Sequence, residues 1–233
     1  MIVSQEIVKS ISDGRDYRYV KLPNELQTLL IHDPEAEMSA ASMFVGVGSL
    51  SDPVNPNKKG TKFNGMAHFC EHMLFQGTKK YPEENYYLKY MGDHGGETNA
   101  NTGDDETNFH FDVTSQNFPE AIDIFSQFFK EPIFNKAAID REMHAVDSEY
   151  NNGKSNEAFA DDYLEKSEIA EPGSVIDVFS VGSLETLSQE GVYDNLKKFY
   201  NDHYSSNRMN LVLVGKQSLD ELQTLAVENF KDV

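Results

Sequence analysis

Two histidines and a glutamate stand close together in the segment His68-Phe69-Cys70-Glu71-His72. In an α-helix successive residues are turned by about 100°, so His72 lies about 40° from His68, and Glu71 lies about 60° to the other side. Both imidazoles can therefore reach one metal ion while the carboxylate stands beside it. Cys70 projects about 200° away, which excludes it as a ligand. Imidazole and carboxylate ligands with one open position are typical of catalytic zinc.

The spacing H-x-x-E-H is the inverzincin signature, the mirror image of the H-E-x-x-H zinc motif. A pattern with only three fixed positions also arises by chance, and a helix with two histidines is then simply a polar surface. A catalytic zinc site needs a third protein ligand, and an Asp or Glu on another helix is the natural source.

A predicted helix that begins at Lys136, after the N-cap residue Asn135, carries two candidates for this third ligand. Glu142 and Glu149 are seven positions apart, so they differ by only about 20° around the helix and share a face. One could bind the metal while the other accepts a hydrogen bond from a ligand imidazole. The residues alone do not say which glutamate does which, and two glutamates on one helix are ordinarily solvated surface.

The run from His68 to Thr78, HFCEHMLFQGT, closely resembles the active-site helix of the pitrilysin (insulysin) family of metallopeptidases, in its insulin-degrading enzyme branch. Segments 104–113, 140–149 and 204–207 look similar as well, so the resemblance extends from about residue 17 to the end. It implies a ligand glutamate separated from the second histidine by seventy-six residues. Glu149 follows His72 by 149 − 72 = 77 positions and meets that spacing.

By this resemblance His68, His72 and Glu149 would hold Zn²⁺, and Glu142 matches the glutamate that supports the ligands in the family. Glu71 would be the catalytic base, which takes a proton from water and passes it to the leaving amine.

The resemblance also implies where a peptide substrate would lie. It would add as an extra strand along Asn99-Ala100-Asn101, with its main chain paired to the strand edge. Phe75 and Phe159 match hydrophobic positions that line the pocket near the cleavage site, and ordinary core packing is the alternative for each. Cys70 matches a cysteine of the insulin-degrading enzymes, which implies thiol-sensitive activity.

The elements that must position these residues follow from hydrophobic periodicity and from turn residues. Strands are predicted over 17–21, 26–32, 40–47, 97–101, 107–114 and 208–214. Helices are predicted over 65–75, 82–91, 119–129, 136–150, 156–167, 191–204 and 219–230. Strands and helices mix without regular βαβ alternation, which indicates an α+β fold with a largely antiparallel sheet covered by helices.

Composition limits the classes of function. The 233 residues include 39 acidic and 20 basic side chains, a formal net charge of −19, which argues against nucleic acid and anionic membranes as partners. Hydrophobic residues at 39% exclude a disordered chain. No apolar run is long enough for membrane insertion, and the start has no secretory h-region. With a single cysteine, these features lead us to expect a soluble, cytoplasmic protein.

We therefore expect residues 1–233 to form a single N-terminal zinc-peptidase domain. The family resemblance implies four similar domains in two halves around a chamber, and this chain matches only the first. The expected function is a zinc-dependent metalloendopeptidase that hydrolyses short peptides and small polypeptides. The alternative is a peptide- or partner-binding domain with little turnover by itself, which needs the remaining domains or a partner subunit.

Overall fold

The computed structural model describes residues 7–57, 61–156, 161, 164–166, 168–171, 174 and 179–233. Within these ranges the strands form one sheet. In chain order they are β1 Asp16–Lys21, β2 Gln27–His32, β3 Met38–Val45, β4 Glu97–Thr102, β5 Thr107–Thr114 and β6 Met209–Gly215. The α-helices are α1 Met66–Leu74, α2 Tyr86–Asp93, α3 Phe118–Ser126, α4 Lys136–Lys154, α5 Leu184–Leu187, α6 Val192–His203 and α7 Leu219–Phe230.

The sheet has six strands in the order β1-β2-β6-β3-β5-β4 across the described residues. Four of its pairings are antiparallel, and the pairing of β2 with β6 is parallel. The prediction of an α+β fold with a largely antiparallel sheet is therefore confirmed. The parallel pair arises because β6, from the far end of the chain, inserts between β2 and β3.

One face of the sheet is buried because apolar and polar residues alternate along its strands. In β5, Phe109, Phe111 and Val113 are buried, whereas His110 on the opposite face is exposed. Helix α3 packs on β3 and β5 over this buried face and adds Phe125 to an aromatic cluster. Each fully buried phenylalanine contributes about 2 kcal/mol relative to an exposed one, so this cluster is a rigid base for the site.

Helix α1 is enclosed by other elements on several sides. It contacts α4, α6 and strand β4, and most of its residues are buried. A helix with its backbone held in this way can present a few polar side chains in fixed directions.

The strands and most of the helices lie within one or two residues of their predicted bounds at most ends. The prediction that α2 begins at Pro82 is wrong, because Asn85 adopts a left-handed conformation (φ 59°) and the helix begins only at Tyr86. Helix α4 continues to Lys154, beyond the predicted end at 150. The short helix α5 was not predicted, and the predicted helix over 156–167 lies mostly outside the described residues.

Among the described residues, no helix combines the length and the apolar character that crossing a membrane requires.

Candidate metal centre and peptide cleft

Helix α1 places its two histidines side by side. His68 and His72 are one turn apart, their rings are 4.7 Å apart between centroids and nearly perpendicular, and their Nε2 atoms are 3.2 Å apart. Cys70 is fully buried on the opposite side of the helix. The helical spacing predicted from the sequence is therefore present, with both imidazoles facing one point.

Helix α4 brings Glu149 to the same point. Its Oε2 atom lies 3.3 Å from Nε2 of His68, and its Oε1 atom lies 3.5 Å from Nε2 of His72. Ligand atoms of the three residues all lie within 4.8 Å of one another. Within the described part of the chain, the His, Cys, Asp and Glu side chains that lie close enough together to hold a metal ion are those of His68, His72 and Glu149.

The separations of these atoms fit a tetrahedral zinc ion. Ligand atoms about 2.0–2.2 Å from a tetrahedral Zn²⁺ stand about 3.3–3.6 Å from one another. The two Nε2 atoms are 3.2 Å apart, and they lie 3.3 and 3.5 Å from Oε2 and Oε1 of Glu149, respectively, so each separation lies at or near that range. The donor set of two imidazoles and one carboxylate is also the type that catalytic zinc sites use. The three residues therefore fit a zinc ion.

The orientation of each imidazole is set at its other nitrogen. Nδ1 of His68 lies 2.8 Å from the carbonyl oxygen of Val181, and this oxygen can only accept, so Nδ1 carries the proton and donates it. Nδ1 of His72 lies 3.6 Å from Oε2 of Glu142. Such partners hold ligand rings in place and leave Nε2 free for the metal.

Charge balance in the metal-free protein follows from the same contacts. Burial opposes the charged form of His72, but Glu142 and Glu149 outweigh it and raise the pKa of His72 to about 9. Contacts with the imidazoles of His68 and His72 favour the charged form of the Glu149 carboxyl and hold its pKa well below its usual range. A proton on His72 thus takes the place of a cation among these carboxylates.

Glu142 is itself held by a neighbour on α4. Arg141 donates from Nε to Oε1 of Glu142 at 3.2 Å, and it contacts Glu84 at 3.2 Å and Gln76 at 3.1 Å. These contacts keep the Glu142 carboxylate turned toward His72. The sequence had left open which glutamate lies among the ligand atoms, and the geometry puts Glu149 there and Glu142 behind His72.

Glu71 lies beside the three converging residues and is buried. Its Oε2 accepts a hydrogen bond of 2.5 Å from Oγ1 of Thr102, the last residue of β4. Burial raises the pKa of Glu71, and the nearby His68 opposes that rise. A carboxylate with one oxygen held and a raised pKa is suited to accept a proton on its other oxygen.

An open cleft of about 700 Å³ runs over these residues and is bordered by β4. Strand β4 is the last strand of the sheet, so among the described residues its outer backbone edge has no partner. Asn99 and Asn101 are exposed, whereas Ala100 and Thr102 are half-buried and line the cleft. The strand therefore presents a free edge directly beside Glu71.

The two predicted pocket phenylalanines have different outcomes. Phe75 lines the cleft and also packs edge-on against Phe128, at 5.1 Å between centroids, so it belongs to both the cleft wall and the core. Phe159 lies outside the described residues.

Cys70 is 0% exposed, and burial raises the pKa of its thiol. A buried thiol of this kind is unreactive, so a reagent can reach it only when α1 opens. The thiol-sensitive activity implied by the family resemblance stays a prediction.

Several residues of the site are not among those predicted from the sequence. Thr102 extends the predicted strand by one position, and it shares a face with Ala100 because strand side chains alternate, which is a signal that could have found it. The carbonyl of Val181 and the side chain of Arg141 reach the site through the fold, and no local spacing in the sequence indicates them.

Two histidines on one helix and a carboxylate on a second helix, which together could hold a metal ion above a sheet with a free edge, define a candidate metallohydrolase site. Residues 27–171 match the family model described as Insulinase (Peptidase family M16). Residues 192–233 match the model described as Peptidase M16 inactive domain. The first match covers more than half of the chain, and the chain therefore belongs to the insulinase family, peptidase family M16. The predicted family is confirmed.

Individual relatives agree with this assignment. The insulin-degrading enzyme-like 1, peroxisomal, of Arabidopsis thaliana is 44% identical over 234 residues, which are 98% of this chain and 23% of that protein. The insulin-degrading enzyme of Homo sapiens is 42% identical over 237 residues, 99% of this chain and 22% of that protein. The crystal structure of pitrilysin superposes with a TM-score of 0.92 at 33% identity, covering 100% of this chain and 24% of that chain. The chain thus spans less than a quarter of these relatives.

Proposed function

We propose that this chain is the zinc-binding catalytic domain of a metalloendopeptidase, with His68, His72 and Glu149 as the metal ligands and Glu71 as the general base. The observation that carries the proposal is the convergence of two imidazole Nε2 atoms and the Glu149 carboxylate, with separations of 3.2 to 3.5 Å, beside a buried glutamate in a cleft with a free strand edge. Membership of the insulinase family supports it.

Each residue of the site has a distinct part. Zn²⁺ held by His68, His72 and Glu149 would act as a Lewis acid, which would polarise the scissile carbonyl and make water more acidic. Glu71 takes the proton of the attacking water on Oε1, because Thr102 already holds Oε2, and later gives it to the leaving amine. Glu142 and the Val181 carbonyl keep the two ligand rings in register.

The substrate is a peptide in extended conformation. Main-chain pairing with the free edge of β4 along Asn99-Ala100-Asn101 would hold many different sequences, because it uses backbone groups that every peptide has. Phe75 offers apolar surface to a side chain next to the scissile bond. Phe159 remains part of the proposal from the family resemblance alone.

We further propose that residues 1–233 act as the first domain of a larger protein, with the remaining domains or a partner subunit completing the site. The chain spans 22–24% of its matched relatives. The Glu149 side chain is 51% exposed, so the metal site is open on one side. This exposure also favours a second candidate function, a domain that binds peptide but cleaves it slowly by itself.

The experiment is a metal analysis of the purified chain, combined with cleavage of a fluorogenic peptide by the wild type and by Glu71→Gln. We expect about one zinc per chain in both proteins. We expect Glu71→Gln to reduce cleavage by about 10²–10⁴-fold, because only the base is lost. A folded chain without zinc, or a Gln variant as active as the wild type, contradicts the proposal. Zinc without cleavage in the wild-type chain identifies the second candidate.

A cytoplasmic location is part of the same proposal, and the single cysteine, which can form no disulfide within this chain, is compatible with it. One relative is named as peroxisomal. Fractionation of cells and detection of the protein in each compartment would decide between the two.

A further inference from the structure

Helix α1 begins without a side-chain cap of its own. Its N-cap residue is Gly65, with φ 88° and no side chain to accept a hydrogen bond from the first turn. The first N–H groups of a helix have no partner within the helix, and this helix begins in the protein interior. A partner from elsewhere in the chain is therefore required.

Asp52, which lies thirteen positions before Gly65, supplies this partner. Its Oδ2 accepts a hydrogen bond of 2.6 Å from the N–H of Gly65, and its Oδ1 accepts one of 2.9 Å from the N–H of Ala67. Both carboxylate oxygens are used, one by the N-cap residue and the other by the second residue of the helix. Asp52 thus serves as an N-cap that is remote in sequence.

The Asp52 carboxylate is held in an unfavourable environment. The residue is 8% exposed, and in the described part of the chain no Lys or Arg nitrogen lies within 4.0 Å of it. Burial raises the pKa of Asp52 to about 7, against the two backbone N–H groups that stabilise its charge. Burying a carboxylate costs free energy unless it is well hydrogen-bonded, so the two contacts to α1 explain its presence.

The turn that carries Asp52 is also attached to the residues that directly follow strand β4. The N–H of Ser49 donates to the carbonyl of Gly103 at 3.0 Å, and the N–H of Leu50 donates to the carbonyl of Asp104 at 2.9 Å. Gly103 directly follows Thr102, which holds Glu71. Residues 48–52, which we call the clasp, therefore join the start of α1 to the end of β4.

We propose that Asp52 is a positioning residue for the metal site, which acts through the clasp by holding the first turn of α1 in register with β4. His68 lies in that first turn, so loss of the cap lets its ring move away from His72. The consequence for catalysis rests on the proposed function. The consequence for the local structure of α1 does not.

The single cysteine of the chain reports on this helix directly. Cys70 is fully buried on α1, so a thiol reagent such as dithionitrobenzoate labels it only when α1 opens. We would compare the wild type, Asp52→Ala and Asp52→Asn with Ser218→Ala, all without zinc. Ser218 caps α7 through the N–H of Glu221, so Ser218→Ala removes a helix cap away from the site and is the matched control.

We expect Asp52→Ala to be labelled about tenfold faster than the wild type, the factor typical of a lost helix cap, and Asp52→Asn to be intermediate because it retains one acceptor oxygen. We expect Ser218→Ala to be labelled at the wild-type rate. Labelling of both Asp52 variants no faster than Ser218→Ala overturns the proposal. If Asp52→Ala does not fold, Asp52→Asn alone decides by the same criterion.

Zinc affinity, measured by competition with a chromogenic chelator, tests the link to the metal site. We expect the Asp52 variants to bind zinc about 10–100-fold more weakly and Ser218→Ala to bind it as the wild type does. Unchanged affinity in the Asp52 variants overturns the positioning role and leaves the proposed peptidase function intact. Absence of zinc binding in the wild type contradicts the proposed function, and the labelling rates still test the clasp.

Discussion

His68 and His72 point their Nε2 atoms at each other because each ring is held at its other nitrogen. Val181 holds His68 at 2.8 Å, and Glu142 stands 3.6 Å from His72. Two nitrogen atoms 3.2 Å apart, each with a lone pair, repel unless a cation lies between or beside them. In the metal-free chain that cation is the proton on His72, whose pKa is raised to about 9.

Zinc affinity should therefore depend on pH. Below pH 9 the metal must displace the His72 proton, because only a neutral imidazole can bind zinc. We expect the affinity to fall about tenfold for each unit of pH below 9, and binding at pH 7.4 to release about one proton. Titration calorimetry in buffers of different ionisation enthalpy measures this release. In Glu142→Gln we expect a lower pKa of His72 and therefore fewer protons released on zinc binding. Equal proton release by the two proteins would contradict the role of Glu142 in raising that pKa.

Thr102 should affect catalysis without affecting the metal. Thr102→Val keeps the branched shape and removes the O–H that holds Oε2 of Glu71. We expect kcat/KM to fall about 10–100-fold while zinc affinity stays the same. Thr102→Ser retains the O–H and should keep most of the activity. The rate of peptide cleavage, measured in a protein that is active, reports the effect. Equal rates for the Val and Ser variants would contradict the role given to the Thr102 hydroxyl.

At the scale of elements, a close approach of two glycines fixes the distance between α1 and the segment that carries Val181. A Cβ atom on Gly65 would lie 2.3 Å from Cα of Gly182, and both residues have positive φ angles, of 88° and 86°. This packing brings the Val181 carbonyl onto His68. Asp147 of α4 also accepts a hydrogen bond of 2.9 Å from the N–H of Leu184 and holds the other end of the segment.

Gly65→Ala should therefore destabilise the chain and weaken zinc binding. The positive φ angle alone costs about 1–2 kcal/mol for a residue other than glycine, and the clash with Gly182 adds to it. Gly92→Ala is the control, because nothing lies within 4 Å of its added Cβ, and alanine there should stabilise α2 by about 0.5–1 kcal/mol. Urea unfolding of the metal-free variants measures the two changes in stability, and competition with a chromogenic chelator measures zinc affinity. A Gly65→Ala variant as stable as Gly92→Ala would refute this account.

Most elements could be predicted from the sequence because their signals are local. The alternation of Phe109, Phe111 and Val113 marks β5, and the i, i+4 spacing of His68 and His72 places both imidazoles on one face of α1. The parallel pairing of β2 with β6 could not be predicted, because nothing local relates two segments so far apart in the chain. The predicted start of α2 at Pro82 is wrong because Asn85 adopts a left-handed conformation, which its sequence position does not reveal.

The candidate site was predictable to a different extent for each residue. The histidine pair and Glu71 follow from helix geometry, whereas the ligand position of Glu149 needed the family resemblance, since Glu142 shares its face of α4. Asp52 lies in a loop-like region of the sequence, and only the fold brings it to Gly65. Contacts between distant segments carry no local pattern.

The molecule as a whole has an open cleft and spans less than a quarter of its matched relatives, and both features bear on the rate of turnover. The Glu149 side chain is 51% exposed, so water has access to the metal site in this chain. An active site that excludes water strengthens every electrostatic interaction within it. We therefore expect further domains or a partner to act on turnover more than on metal binding.

The effect of further domains is measured by comparing this chain with a longer protein that contains it. Zinc affinity is compared first, and peptide cleavage is then compared with both proteins saturated with zinc. We expect similar zinc affinities, and peptide cleavage by the chain alone to be at least about 10²-fold slower, the size of effect seen when one set of preorganised donors is lost. Equal cleavage rates would show that residues 1–233 are sufficient. A large difference in zinc affinity would show that ligands outside this chain contribute to the metal site.

We propose that His68, His72 and Glu149 together bind one zinc ion. Diffraction from a crystal of the chain grown with one equivalent of zinc, recorded at the zinc absorption edge, locates the metal. We expect one strong anomalous peak about 2.0–2.2 Å from Nε2 of both histidines and from a carboxylate oxygen of Glu149. A folded chain with no peak at this position, or with zinc bound through Glu142 in place of Glu149, would contradict it.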